Sequence, residues 1–201
     1  MQADEYVVFD TETTGLRSDD RIIEICFLRF VAGKIVESYE TRINPERPIP
    51  MAASSIHGIF DEHVRDAPRF AEVLPEIWTW LDSGLPLVAH NLEFDLRMLS
   101  QSLPFEEWPR PTRLGVCTLR TAKNFHPELS TRNKGHTLSA VARYFGVRFD
   151  EASAHGARYD AEITGEIAPH LFPFANPLML GEYSASLVRS RRQEEIAFPR
   201  R

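Results

Sequence analysis

Apolar runs separated by turn signals open the chain. Residues 6–10 read as a first strand, and residues 21–31 and 35–43 as two more, joined by a hairpin turn at Ala32-Gly33-Lys34. Three sequential strands predict an antiparallel start. Asn44-Pro45-Glu46-Arg47-Pro48-Ile49-Pro50 cannot continue a ladder, because its three prolines lack the backbone donor, so it reads as a rigid connection. A short helix near residues 52–56 and a longer one over 70–82 follow. Residues 85–89 form a short apolar strand, and Asn91 reads as the N-cap of a helix with Leu92, Leu96 and Leu99 at i, i+4 and i+7. That spacing places Asp95 in the helix's first turns. A strand or turn near residues 114–117, a helix over 119–125, a polar loop over 126–134 and helices over 137–144 and 157–171 complete the pattern, with Ile163 and Ile167 on one face of the last. Hairpins first, then strands alternating with helices, predict an α/β or α+β domain with a mixed sheet.

Polar residues interrupt this pattern most informatively at Phe9-Asp10-Thr11-Glu12-Thr13-Thr14-Gly15. Side chains alternate across a strand, so Val8, Asp10 and Glu12 share one face while Phe9 and Thr11 take the other. Two carboxylates at i and i+2, their Cα atoms roughly 6.5–7 Å apart, repel at a dry sheet end unless a cation lies between them. Hard oxygen ligands of this kind suit Mg²⁺ or Mn²⁺. The same residues also fit a solvated polar turn, with Gly15 supplying a positive φ. Two later segments bear on the choice. Ala89-His90-Asn91-Leu92-Glu93-Phe94-Asp95 sets a carboxylate at a helix start after a buried strand, and His155-Gly156-Ala157-Arg158-Tyr159-Asp160-Ala161 repeats the device near the C-terminus. On one regular helix His155 and Asp160 would lie about 140° apart. Gly156 instead places His155 on the preceding loop and Asp160 in the first turn, so both can face one site. His90 precedes the cap and reads as structural.

Composition adds bounds. The chain has 201 residues, is 43% hydrophobic and carries a net charge of −6, which suits one domain with a substantial core and argues against a sequence-independent DNA coat. An enzyme whose acids gather around cations remains compatible with that charge. No apolar run approaches the roughly 18 residues of a membrane span, and a cytoplasmic protein without membrane association is expected. Cys26 and Cys117 read as small buried thiols. Residues 181–201 hold five Arg and three Glu, a net of +2, which leaves −8 on residues 1–180. The expected organisation is a domain over residues 1–175 and a basic tail over 176–201.

Taken in order, Asp-x-Glu, Asp and His-x4-Asp, within Asp-Thr-Glu-Thr-Thr-Gly, Ala-His-Asn-x3-Asp and His-Gly-Ala-x2-Asp-Ala, resemble the DEDDh (DnaQ-like) family of 3′→5′ exonucleases, which includes the proofreading epsilon subunit of bacterial DNA polymerase III. The resemblance runs from about residue 5 to residue 171. It implies a ribonuclease H-like α/β fold, a mixed five-stranded sheet flanked by helices. It also implies two Mg²⁺ or Mn²⁺ ions held by Asp10, Glu12 and Asp160, with Asp95 contributing through water and His155 as general base. The chemistry calls for such parts: a phosphodiester is already anionic, and two cations about 3.5–4 Å apart stabilise both the attacking and the leaving oxygen. An imidazole can accept the proton near neutral pH.

In the family the segment corresponding to Thr13, Thr14, Gly15 and Leu16 holds the 3′ end, with Leu16 placed to wedge against a base, and Ser55-Ile56-His57-Gly58-Ile59 resembles a segment beside the terminal nucleotides. A helix closed by Gly58 with His57 incidental is the other reading. Phe94 either lines the same cleft or packs in the core. Arg110, Arg113, Arg120, Lys123, Arg132 and Lys134 make 110–134 the most basic stretch of the body, either a phosphate track or a solvated face. Gln193-Glu194-Glu195-Ile196-Ala197-Phe198 resembles a bacterial sliding-clamp-binding peptide, with Ile196 and Phe198 as apolar anchors and Gln193 orienting the chain. The expectation is therefore a metal-dependent exodeoxyribonuclease acting on single-stranded or frayed 3′ ends in proofreading or repair, with a sliding clamp and a DNA polymerase as candidate partners. An exoribonuclease of the same family and a clamp-docked binding module without catalysis are the alternatives.

Overall fold

A computed structural model describes residues 3–102, 114–131 and 135–179. Strand β1 (Glu5–Thr13) pairs antiparallel with β2 (Ile22–Val31), and β2 with β3 (Lys34–Arg42). A two-residue turn joins the latter pair, with Ala32 and Gly33 both at positive φ, as a right-twisted hairpin requires. On its other side β1 runs parallel to β4 (Leu87–Ala89), which runs parallel to β5 (Leu114–Cys117). The expected mixed five-stranded sheet is extended at one edge by a two-residue strand, β6 (Leu178–Met179), antiparallel to β5, giving the order β3-β2-β1-β4-β5-β6. That strand lies past the boundary expected at residue 175.

Seven α-helices are described among these residues: α1 (Met51–His57), α2 (Asp61–Val64), α3 (Phe70–Leu81), α4 (Leu92–Ser102), α5 (Thr118–Phe125), α6 (Leu138–Tyr144) and α7 (Ala157–Leu171). Helices α3 and α4 cover one face of the sheet, where Val7, Phe9, Ile25 and Phe27 meet Ile77, Trp80, Leu96 and Leu99. Helix α7 covers the other, where Tyr6, Val8, Cys26 and Leu28 meet Ala157, Ala161 and Ala168. Its sheet-facing stripe of small residues lets the backbone come close. A Cβ on Gly165 would lie 2.1 Å from the Phe30 ring, and the Tyr6 hydroxyl donates to the Gly165 carbonyl at 3.0 Å. Ile163 and Ile167 are buried on a further side against α5 and α6.

Several expectations are corrected here. β1 does not stop at Asp10 but continues through Thr13, because Asp10, Thr11 and Glu12 each have a ladder partner on β2 in Cys26, Ile25 and Glu24. Asn91 has a left-handed φ of 79° rather than the extended backbone usual at an N-cap, a conformation that asparagine tolerates. Helix α2 is an additional element, too short to show a hydrophobic period. Cys26 and Cys117 are buried free thiols, as expected. Among the described residues no helix is long and apolar enough to cross a membrane.

Candidate active site

The strand face shared by Asp10 and Glu12 is the face that α7 covers. Gly156 precedes α7 with extended backbone, His155 stands just outside the helix at φ 64°, and Asp160 lies in the first turn, its N–H bonded to the Gly156 carbonyl at 3.0 Å. This break in the helix brings the His155 backbone N–H toward the Asp160 carboxylate. One oxygen each from Asp10, Glu12 and Asp160 falls within a mutual distance of 4.8 Å. Asp95 arrives from the opposite face, on α4, and is 2% exposed. Thr11, on the α4 face of β1, donates its hydroxyl to Asp95 Oδ1 at 2.7 Å.

Four carboxylates in so small and dry a space resist ionisation together. Burial and the neighbouring Asp95, Glu12 and Asp160 charges push Asp10 well above the usual carboxylate range. Burial followed by Asp160, Glu24 and Asp95 pushes Glu12 up to about 9. Burial raises Asp95 to about 7, against the opposing pull of the Thr11 hydrogen bonds. Asp160 is also raised by burial, with His155 partly offsetting it. Asp160 Oδ1 is buried and has no hydrogen-bond partner. An orphaned carboxylate oxygen converging with two other carboxylates fits a divalent cation bound by hard oxygen ligands.

A cleft of roughly 680 Å³ opens beside these acids, lined by residues from β1 and its following loop, from α1, and by Phe94. Leu16, 75% exposed, and Ile56, 59% exposed, are two apolar side chains in its lining. Phe94 both lines the cleft and packs on the core, with the Arg97 guanidinium 5.1 Å from its ring centre. Thr13 and Thr14 are committed to the loop itself. The Thr13 hydroxyl donates to the Gly15 carbonyl, the Thr14 hydroxyl donates to Asp20 Oδ1, and the Thr14 N–H donates to the Arg21 carbonyl. Asp20, which the sequence reading passed over, is the buried centre of this loop. A Cβ on Gly15 would lie 2.5 Å from its Oδ2.

His57 accepts the Ile59 N–H on Nδ1 at 3.0 Å, which leaves its proton on Nε2, buried and facing the Thr13 carbonyl without a full hydrogen bond. Burial lowers its pKa; Thr13 and Glu24 oppose the shift and His155 adds to it. Gly58 at φ 70° closes α1, and His57 is among the residues that line the cleft. His90 is structural: its ring bridges the Thr118 hydroxyl and the His136 carbonyl, and burial lowers it to about 4. Arg120 pairs with Glu93 at 2.8 Å. Arg110, Arg113, Arg132 and Lys134, and Gln193, Ile196 and Phe198 of the tail, lie outside the described residues.

Besides Asp20, two residues beside the carboxylates were missed from sequence. Thr11 had a signal, a polar residue on the otherwise apolar Val7-Phe9 face. Glu24 had only a weak one, a lone acid in the apolar run of β2. It stands opposite Glu12 in the ladder, and its Oε2 accepts the Ala157 N–H at 3.1 Å.

Known proteins resemble this chain in sequence and in fold. The RNase T-type exonuclease family profile matches residues 7–168. A PolC-type DNA polymerase III of Oceanobacillus iheyensis is 36% identical over 166 residues, 82% of this chain but 11% of that protein. A DNA polymerase III epsilon-like protein of Rhodobacter capsulatus is 34% identical over 205 residues, 95% of this chain and 27% of that protein. This chain therefore spans a minor part of both relatives. Among solved structures, exonuclease X in complex with 5′-overhanging duplex DNA superposes with a TM-score of 0.65 at 27% identity, covering 91% of this chain and 99% of that one. The nuclease domain of 3′hExo, a DEDDh family member bound to rAMP, gives 0.70 at 17% identity, covering 87% and 96%, a likeness of fold.

Proposed function

This chain belongs to the exonuclease family, as an enzyme domain of the 3′→5′ DEDDh type with a ribonuclease H-like fold, and from that premise we propose that it removes nucleoside 5′-monophosphates from DNA 3′ ends in proofreading or repair. The observation that carries the reading is the convergence of Asp10, Glu12 and Asp160 within 4.8 Å, at the edge of a cleft with apolar walls.

In this mechanism Asp10, Glu12 and Asp160 would hold two Mg²⁺ or Mn²⁺ ions, with Asp95 contributing from the other face of the sheet. When bound, the cations supply positive charge to the attacking and leaving oxygens. The terminal base stacks between Leu16 and Ile56, with Phe94 beneath. His155 takes a proton from the attacking water as its oxygen bonds to phosphorus. The bond to the 3′ oxygen of the penultimate nucleotide then breaks, and that oxygen leaves with a proton from solvent.

The DNA assignment is supported by relatives named as DNA polymerase III proteins and by the neighbour solved with duplex DNA. The same relatives support a cytoplasmic replication setting. Docking on a sliding clamp through Gln193, Ile196 and Phe198, and contact with a polymerase, belong to the proposal on the strength of the tail motif alone. The test is a 5′-labelled oligonucleotide ladder with matched DNA and RNA strands in Mg²⁺, Mn²⁺ or EDTA. Stepwise, metal-dependent shortening of DNA faster than RNA is expected. Faster RNA trimming would make the chain an exoribonuclease, and no shortening of either strand would leave the binding-module reading.

A further inference from the structure

Glu24 is a carboxylate that the proposed chemistry does not use, yet it is 6% exposed and lies among the other acids of the site. Its charge helps push both Asp10 and Glu12 upward. A fifth buried carboxyl group here is costly unless its oxygens find partners, so its contacts are informative. Both oxygens are engaged. Oε1 accepts from Arg42 Nε at 3.3 Å, and Oε2 accepts the Ala157 N–H at 3.1 Å. The first contact is to an arginine whose side chain is half exposed. The second is wholly buried and joins residues 133 positions apart.

Ala157 is the first residue of α7, and its N–H is one of the amides that a helix leaves unpaired at its start. A side chain at the N-cap ordinarily accepts the second or third amide and leaves the first to other acceptors, and here the N-cap is Gly156, which has no side chain at all. β2 therefore provides the cap from outside, on the rung that also carries Glu12. The capped amide stands two residues after His155, with its left-handed φ of 64°, and three before Asp160.

Accepting the exonuclease reading above, we propose that Glu24 is a positioning residue that fixes the start of α7 and thereby aims both Asp160 and His155 at the β1 carboxylates. It acts as a hydrogen-bond acceptor of the right length rather than as a charge, and Arg42 only orients it. Glu24 is not among the three converging ligands.

Two substitutions separate reach from charge. Glu24→Gln keeps the acceptor at full length and loses the charge, while Glu24→Asp keeps the charge and is one methylene short. The measurements are kcat and KM on a 5′-labelled DNA strand, thermal melting, and hydrogen exchange of the Ala157 amide in EDTA. Glu24→Gln is expected to retain kcat within about threefold and to keep Ala157 protected. Glu24→Asp is expected to lose up to about 10²-fold in kcat, the scale for a displaced catalytic group, with KM within about twofold, Ala157 exchanging faster and melting shifted little. The reverse order, equal rates for the two variants, or unchanged Ala157 exchange in Glu24→Asp overturns the proposal. An inactive wild-type protein whose Ala157 protection follows the expected order would instead refute the exonuclease reading and leave the cap standing.

Discussion

Asp95 and Asp160 reach the same end of one sheet from opposite faces, and the protein treats them differently. Asp95, on α4, is held by the Thr11 hydroxyl at 2.7 Å. Asp160, on α7, keeps a buried Oδ1 with no partner. A buried polar atom without a partner costs roughly 1–3 kcal/mol, and more when charged. The contrast teaches that one carboxylate is oriented by the fold while the other is oriented toward something the fold does not supply. The same division appears in their supports: α4 anchors through Leu92, Leu96 and Leu99, whereas α7 lies close on small residues and on a start capped by Glu24.

The sharpest way to break this comparison is Asp160→Asn. Exonuclease activity should fall by about 10³-fold or more, since the lost charge stabilisation amounts to several kcal/mol. The metal-free variant should nevertheless melt higher than wild type, because repulsion with Asp10 and Glu12 is relieved. Activity at a wild-type level, or a lower melting temperature in EDTA, would contradict the account.

The next test is pH dependence without metal. Glu12 at about 9 and Asp95 at about 7 in the folded protein stand above their ordinary unfolded values. Between pH 6.5 and 8.5 the folded state therefore holds protons that the unfolded state has released. Raising the pH through that window favours unfolding. Melting in EDTA should fall by about 5 °C or more across it, and Mg²⁺ should flatten the slope. In the lower part of the window the lowered pKa values of His57 and His90 act in the opposite sense, so the fall is expected to be steepest above about pH 7.5. A flat or rising profile in EDTA would remove the electrostatic argument.

Gly165→Ala separates the two helices mechanically. The added Cβ would meet the Phe30 ring at 2.1 Å, an overpacking worth about 1–3 kcal/mol. α7 should shift with Asp160 while α4 keeps Asp95, so melting drops and kcat falls, with KM little changed. Equal melting and kcat would mean that the close approach of α7 does not set the site.

The smallest effect is expected from Thr11→Val, which removes the hydroxyl from Asp95 at nearly constant volume. Activity should fall about fivefold at pH 7 and recover partly at higher pH. The lost hydrogen bond lowers the Asp95 pKa, so without it more alkaline conditions are needed to ionise the group. A pH profile identical to wild type would show that Thr11 only fills space.

What was legible in the sequence divides along similar lines. The Asp10 and Glu12 pair was readable because strand alternation fixes their common face locally, and Gly156 marked the break before α7. The exonuclease resemblance followed from the order of those motifs, and the family match agrees with it. Glu24 was not readable as a cap, because its partner lies 133 residues away and nothing local to either position predicts their meeting. Asn91 read as a conventional cap from residue type alone, whereas its left-handed backbone is set by the turn from β4 into α4. Helix α2 spans one turn and has no period to detect. The sixth strand consists of two residues after Pro177 and is defined only by its pairing with β5.

The most direct test of the central claim is calorimetric titration of Mn²⁺ into EDTA-stripped wild-type protein and Asp160→Asn at pH 8. Saturable binding of two ions to the wild type, with at least one lost in the variant, is the predicted result. Identical titrations of the two proteins would show that the orphaned Asp160 oxygen is not part of a cation site, and the account would fail at its base.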